Sequence, residues 1–248
     1  MALCCVATGV IACVPPPLPA SSPRPAWLAT EDEVAAIRGL CVLPLQSESS
    51  VDSQRLGELE AILLAALRYH GFEAVDPETS LAAYDRVRRE SGGFYDPLTG
   101  ERDSARFEAF QDALARRLGP ELGCQGFLLP RIVFVTAPWH SGLASWDGAR
   151  EKIPGGASLL GRVAALSLWV SIRSFGERVL YFRAAGIQLT ARLQQKGFFS
   201  TPQFEPIPPG ELLRDDGRFR TAVRAALASL GSRGSPQREP PQEGGEGD

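Results

Sequence analysis

The most regular pattern of apolar and polar positions lies between residues 39 and 75. Leu40, Val42 and Leu45, with Cys41 among them, form a short apolar run that Pro44 and Gln46 close, which predicts a buried strand. After a polar turn over 47–52, Leu56, Leu59, Ile62, Leu63, Ala66 and Leu67 recur at the three-and-four spacing of one helical face. Asp52 or Ser53 is placed to accept from the free amides of the first helical turn. Gly71 offers a left-handed cap, and a second strand starts over 72–75.

Beyond the break at Asp76-Pro77 a short, outwardly charged helix is expected over 81–89, then a turn-rich loop over 91–100 in which Phe94 and Tyr95 pin the backbone. Ser104 is placed to cap a long helix with Phe107, Phe110, Leu114 and Leu118 inward, stopped by Gly119-Pro120. From 126 to 137 the residues become almost continuously apolar, the pattern of a central strand, with Pro130 marking a bulge or an edge. The stretch 138–148 is the least regular and reads as a loop linking two strands. Over 162–173 the alternation is clean: Leu166, Leu168, Val170 and Ile172 on one face, Ser167, Trp169, Ser171 and Arg173 on the other. Phe175-Gly176-Glu177 turns the chain into a partner strand over 179–191, and a last helix over 216–230 buries Phe219, Val223, Ala226, Leu227 and Leu230. The expected fold class is α/β (α+β). Its sheet is mixed, of about four to six strands, with helices mainly on one face and a C-terminal packing helix.

The two ends of the chain lack this patterning. Residues 1–13 are apolar and small and close on Val10-Ile11-Ala12-Cys13, which resembles a bacterial lipobox with Cys13 as the lipidated residue. No Lys or Arg precedes Cys13 to form a charged n-region, and the segment is too short to span a bilayer. A merely apolar N-terminus is the alternative, with Cys4 and Cys5 as palmitoylation candidates in a eukaryotic setting. The expected organisation is a signal segment over 1–13, a Pro-rich tether over 14–36 that holds Trp27, one domain over 37–230, and a disordered Gly-, Pro- and Glu-rich tail over 231–248.

Charge and motif content exclude several chemistries. A net charge of −3 with dispersed arginines is the wrong balance for a nucleic-acid binder. The turn after the first strand contains no glycine, so no phosphate cradle is expected there, and neither a nucleotide nor another cofactor. With His70 and His140 the only histidines, and no C-x-x-C or H-E-x-x-H, no metal site is expected. His140 with Ser141, Ser145 and Asp147 contains the residue types of a hydrolytic triad, though without a G-x-S-x-G elbow, so a small hydrolase using 139–148 is the enzymatic alternative. The same loop carries Trp139 and Trp146, which either anchor a partner, with His140 and Asp147 beside them, or fold back on the sheet. Trp169 on the wetter strand face is a further partner-binding candidate. Cys41 and Cys124 either pair in an oxidising compartment or remain buried thiols.

The strand Gly39-Leu40-Cys41-Val42-Leu43-Pro44-Leu45, the helix ending His70-Gly71, the run Leu122-Gly123-Cys124-Gln125-Gly126-Phe127, the long hairpin and the closing helix together resemble the small α/β domain of bacterial envelope lipoproteins. That group includes the TolB N-terminal domain, the curli-secretion lipoprotein and lipoproteins that activate peptidoglycan synthases. The resemblance covers roughly 38–230. It implies a domain similar to an anticodon-binding fold, non-enzymatic, serving interaction or assembly at the outer membrane with an envelope protein or further copies of itself. The group's sorting implies a periplasm-facing outer-membrane lipoprotein, because Val14 rather than Asp follows Cys13. A subunit of an outer-membrane secretion or assembly ring is a further alternative, although the secretion-pore members carry longer membrane-crossing hairpins than this sequence shows.

Overall fold

The computed structural model describes residues 29–30, 33, 36–95, 99–154, 160–194 and 203–230. Of the α-helices whose full extent is described, each begins behind an aspartate: α1 (Ser53–Tyr69), α2 (Pro77–Glu90), α3 (Ser104–Leu122) and α4 (Asp216–Leu227). Asp52 accepts from the Arg55 amide at 2.8 Å, Asp76 from Thr79 at 2.9 Å, Asp103 from Arg106 at 3.1 Å, and Asp215 from Gly217 at 2.8 Å and Arg218 at 3.2 Å. Each bond satisfies an amide that the first helical turn leaves without an internal partner. The caps of α1 and α3 are thus Asp52 and Asp103, one residue ahead of Ser53 and Ser104. Asp76-Pro77 starts α2, because proline is preorganised for the first helical position and has no amide to lose there.

The Thr79 amide holds the Asp76 carboxyl below its ordinary value. A depressed native pKa contributes stability above the unfolded-state value and loses it as pH falls through the folded one. Asp76→Ala is expected to lower the unfolding free energy by about 1 kcal/mol at neutral pH. Urea titration should show the difference from wild type closing in acid.

α3 runs through Pro120 and ends at Gly123, whose φ of 68° is left-handed and whose amide closes on the Gly119 carbonyl at 2.9 Å. The sequence places the stop at Gly119-Pro120. Pro120 forfeits only its own amide bond, and the packing of Leu114 and Leu118 carries the helix past it.

Eight strands form one mixed sheet: β1 (Gly39–Val42), β2 (Gln46–Ser47), β3 (Glu73–Val75), β4 (Gly126–His140), β5 (Leu143–Trp146), β6 (Ala149–Lys152), β7 (Leu160–Ser174) and β8 (Val179–Leu189). β1 lies between β3 and β4, parallel to both, and β2 also runs parallel to β4. β4 and β7 pair antiparallel along their whole 15-residue lengths, and β8 follows antiparallel to β7. Pro130 sits where the ladder on the other side of β4 changes from β1 to β2, a gap in which its missing amide costs no sheet bond. A separate ribbon pairs β9 (Ala191–Gln194) with β10 (Gln203–Pro206).

The fold class is the expected α/β, but the helices divide two and two between the sheet faces. Leu40 and Val42 point into a cluster with α1 and α4, and Cys41 points into another with α2 and α3. The unbroken apolar run of β1 is the signature of a strand buried on both sides. Leu166, Leu168, Val170 and Ile172 of β7 face the α1/α4 layer. On the second face α2 and α3 cover only the half near Phe127, and Val133, Val135 and Ala137 lie under β5 and β6. Phe94 packs on Phe107 and Phe110 with ring centroids 5.2 and 5.1 Å away, while Tyr95 is 57% exposed, touching the Phe94 ring at 4.8 Å and bridging to Arg102 through its backbone. Cys41 and Cys124 form a disulfide with Cα atoms 5.6 Å apart, tying β1 to the α3–β4 junction.

Candidate functional site

The stretch 138–148 is ordered strand and turn. β4 continues to His140, and Ser141 (φ 51°) and Gly142 (φ 74°) make a two-residue turn into β5. Asp147 (φ 40°) and Gly148 (φ 78°) make a second into β6. Two successive positive φ angles match the right-handed twist of a tight hairpin. The signal was present in the dipeptides Ser141-Gly142 and Asp147-Gly148 flanking four residues, but strands this short carry little periodicity of their own.

The turns curl β5 and β6 over the second sheet face, and the tryptophans of the loop go inward with them. Trp139 and Trp146 are each 6% exposed and belong to the cluster under the hairpin. Trp139 meets Phe204 edge to face at 5.8 Å, and the Trp146 indole N–H donates to the Leu166 carbonyl at 3.1 Å. Of the two readings of this loop, the folded-back one describes both indoles, because the hairpin has no other apolar side with which to bind the sheet. Trp169 is half-buried against Phe182 at 5.6 Å. His140 is exposed, its Nδ1 2.9 Å from the Ser141 hydroxyl. Asp147 lies at the opposite end of β5, and its carboxylate accepts from the Ser167 hydroxyl at 2.6 Å. Ser141, His140 and Asp147 therefore do not assemble as a triad. Cys13 and Trp27 lie outside the described residues.

Among the described residues no group of three or more His, Cys, Asp or Glu side chains could hold a metal ion. A cleft of about 310 Å³ opens at the start of α1, beside the turn where an α/β sheet would present a nucleotide site. Its Arg55 is committed to the Leu213 carbonyl at 2.8 Å and the Asp216 carboxylate at 2.6 Å.

The larger cleft, about 660 Å³, lies along the outer edge of β8 between the β5–β6 hairpin and α4. Its floor is Gly186, where a Cβ would stand 2.5 Å from Ala149 Cβ and 2.6 Å from Trp146 Nε1, so the hairpin closes on β8 only over a glycine. Arg150 of the hairpin and Arg218 and Arg224 of α4 line it with Glu151 and Asp215. A neighbouring cleft of about 240 Å³ shares Glu151, Asp215 and Arg218 and adds Arg192, Arg214 and Glu211. Arg218 bonds Glu151 at 2.8 Å and Asp215 at 3.5 Å, and Arg192 bonds Glu211 at 3.1 Å. Arg150, Arg214 and Arg224 are exposed and have no carboxylate partner among the described residues.

No protein-family model matches the chain, and no curated protein matches it. Among solved structures it is similar to lipoprotein GNA1162 from Neisseria meningitidis. The two share 14% identity and superpose with a TM-score of 0.31, over 60% of this chain and 81% of that one. At that level of superposition no residue is carried across. No helix among the described residues is long and apolar enough to cross a membrane.

Proposed function

We propose that the chain is a non-enzymatic, lipid-anchored interaction module of the bacterial cell envelope, held at the outer membrane through Cys13 and facing the periplasm. The anchor rests on Val10-Ile11-Ala12-Cys13 followed by a proline-rich tether. The observation that carries the interaction is the outer edge of β8, a strand that among the described residues pairs with β7 alone, beside a cleft between two other elements. A disulfide in the core agrees with an oxidising compartment. The function is to recruit another envelope protein, or a further copy of the chain, to the membrane surface.

Expression of the full chain in a Gram-negative host with an alkyne-tagged fatty acid tests the anchor. Label is expected on the wild type and not on Cys13→Ala, which should move from the membrane to the soluble periplasmic fraction. Label that persists on Cys13→Ala would sink the anchor, and its loss on replacing Cys4 and Cys5 instead would reassign it.

A further inference from the structure

We propose that the outer edge of β8, with the arginine-bearing cleft beside it, docks an extended acidic segment of another protein as an added strand; this deepens the interaction reading above and rests on it for the partner's compartment. Among the described residues β8, 11 residues long, pairs only with β7. The chain itself closes the upper part of the outer edge. The Gly186 amide donates to the Asp147 carbonyl at 3.1 Å, and the Leu189 amide to the Glu151 carboxylate at 3.3 Å.

Because neighbouring residues of a strand send their backbone groups to opposite sides, the outward amide of Gly186 fixes the direction of those at Ala184 and Phe182. Both residues therefore present an N–H and a C=O away from β7, and below Gly186 no strand, turn or side chain among the described residues takes them up. Natural edges are blunted by lysine, proline or a covering loop, and the segment 180–185 has neither lysine nor proline.

The flanks of this edge specify what would bind. A strand added there would show alternate residues to the two sheet faces. On the second face it meets Phe182 and Ala184, which share that face with Trp169 by register, so apolar residues suit it. On the first face it runs toward Arg224 and Arg218 of α4, with Arg150 at the hairpin end. Arg150 and Arg224 lack a carboxylate, and Arg218 is held between Glu151 and Asp215. Carboxylates of the incoming segment complete the two open guanidinium sites with charge-assisted bonds. The net charge of −3 repels an acidic ligand at long range, but screening confines that effect to about 8 Å at physiological salt, so the local arginines decide.

The test is fluorescence anisotropy with the full chain and a fluorescein-labelled peptide of about seven residues alternating Glu with Val. Saturable binding is expected. Arg150→Glu and Arg224→Glu should each weaken it about tenfold, the size of one lost charge-assisted hydrogen bond. Ala184→Pro, which removes an edge amide and no charge, should weaken it by a similar factor. Should that variant fail to fold, the same peptide N-methylated at alternate amides reads the strand pairing on the wild type and is expected not to bind. Absence of saturable binding overturns the proposal. So does equal binding by the N-methylated peptide, or full competition by inorganic phosphate, either of which would leave an anion site without strand addition. These results are separable from the anchor: peptide binding with no label on Cys13 keeps the edge and removes the envelope reading.

Discussion

Replacing Cys41 and Cys124 together by alanine is expected to lower the unfolding free energy by about 4 kcal/mol. The bond joins residues 83 apart, and a loop of that length loses a large closure entropy in the unfolded chain when it is cross-linked. Both cysteines are buried in the α2/α3 cluster, so truncation adds a small packing loss. Guanidinium titration with and without reductant measures it. The wild type under reductant should fall to just above the level of the double variant, the gap being the packing loss, and the variant should ignore reductant. A wild type indifferent to reductant would mean that the bond carries no stability. The position matters as much as the loop. Cys41 on β1 and Cys124 at the entry to β4 bracket a parallel pairing, the kind of non-local contact that is slowest and entropically most costly to form.

Trp146→Ala is expected to cost about 3–5 kcal/mol, the range for deleting a buried aromatic whose site cannot collapse. The indole fills the space between the hairpin and β7 and closes a hydrogen bond to Leu166, so its removal frees the hairpin from the sheet. Trp146→Phe keeps most of the volume but removes the indole hydrogen bond to the Leu166 carbonyl, a loss of about 1 kcal/mol. Thermal melts of the two variants should rank in that order. The exposed Tyr95→Ala serves as the control and should stay within about 0.5 kcal/mol of wild type. A Trp146→Ala protein as stable as the control would return Trp146 to the role of a surface anchor.

The elements legible in the sequence are those whose period is long enough to count. α1 repeats its apolar face over 17 residues, and β7 alternates cleanly around Leu168. The hairpin was not legible, because two four-residue strands give too few positions to establish a period, and because an indole reads the same whether it meets a partner or its own sheet. The two-sided cover of the sheet was written in the continuous run of β1, which a one-sided sheet does not need. The edge of β8 lies beyond local reading altogether. Nothing in the residues of that strand says which of its sides is left unpaired; the order of strands decides it. The cleft follows the same rule, since Arg150 comes from the hairpin and Arg218 and Arg224 from α4, and they line one cleft only through the packing of both elements on β8. The cysteine pairing stood open until the parallel register of β1 with β4, Cys41 opposite Phe127, brought the two residues together.

On the proposed anchoring through Cys13, the long antiparallel pair acts as a spacer. The chain enters the sheet at Gly39, close to the start of β4, because Leu40 is registered with Gly126. β4 then travels 15 residues to the turn at Ser141, about 45 Å at the rise of an extended strand. A domain tethered through its N-terminus is therefore gripped at one pole and presents the Ser141 turn at the other. Changing the number of residue pairs between β4 and β7 would alter how far from its point of attachment that turn is held, while leaving the cover of β1 by α1 and α2 in place.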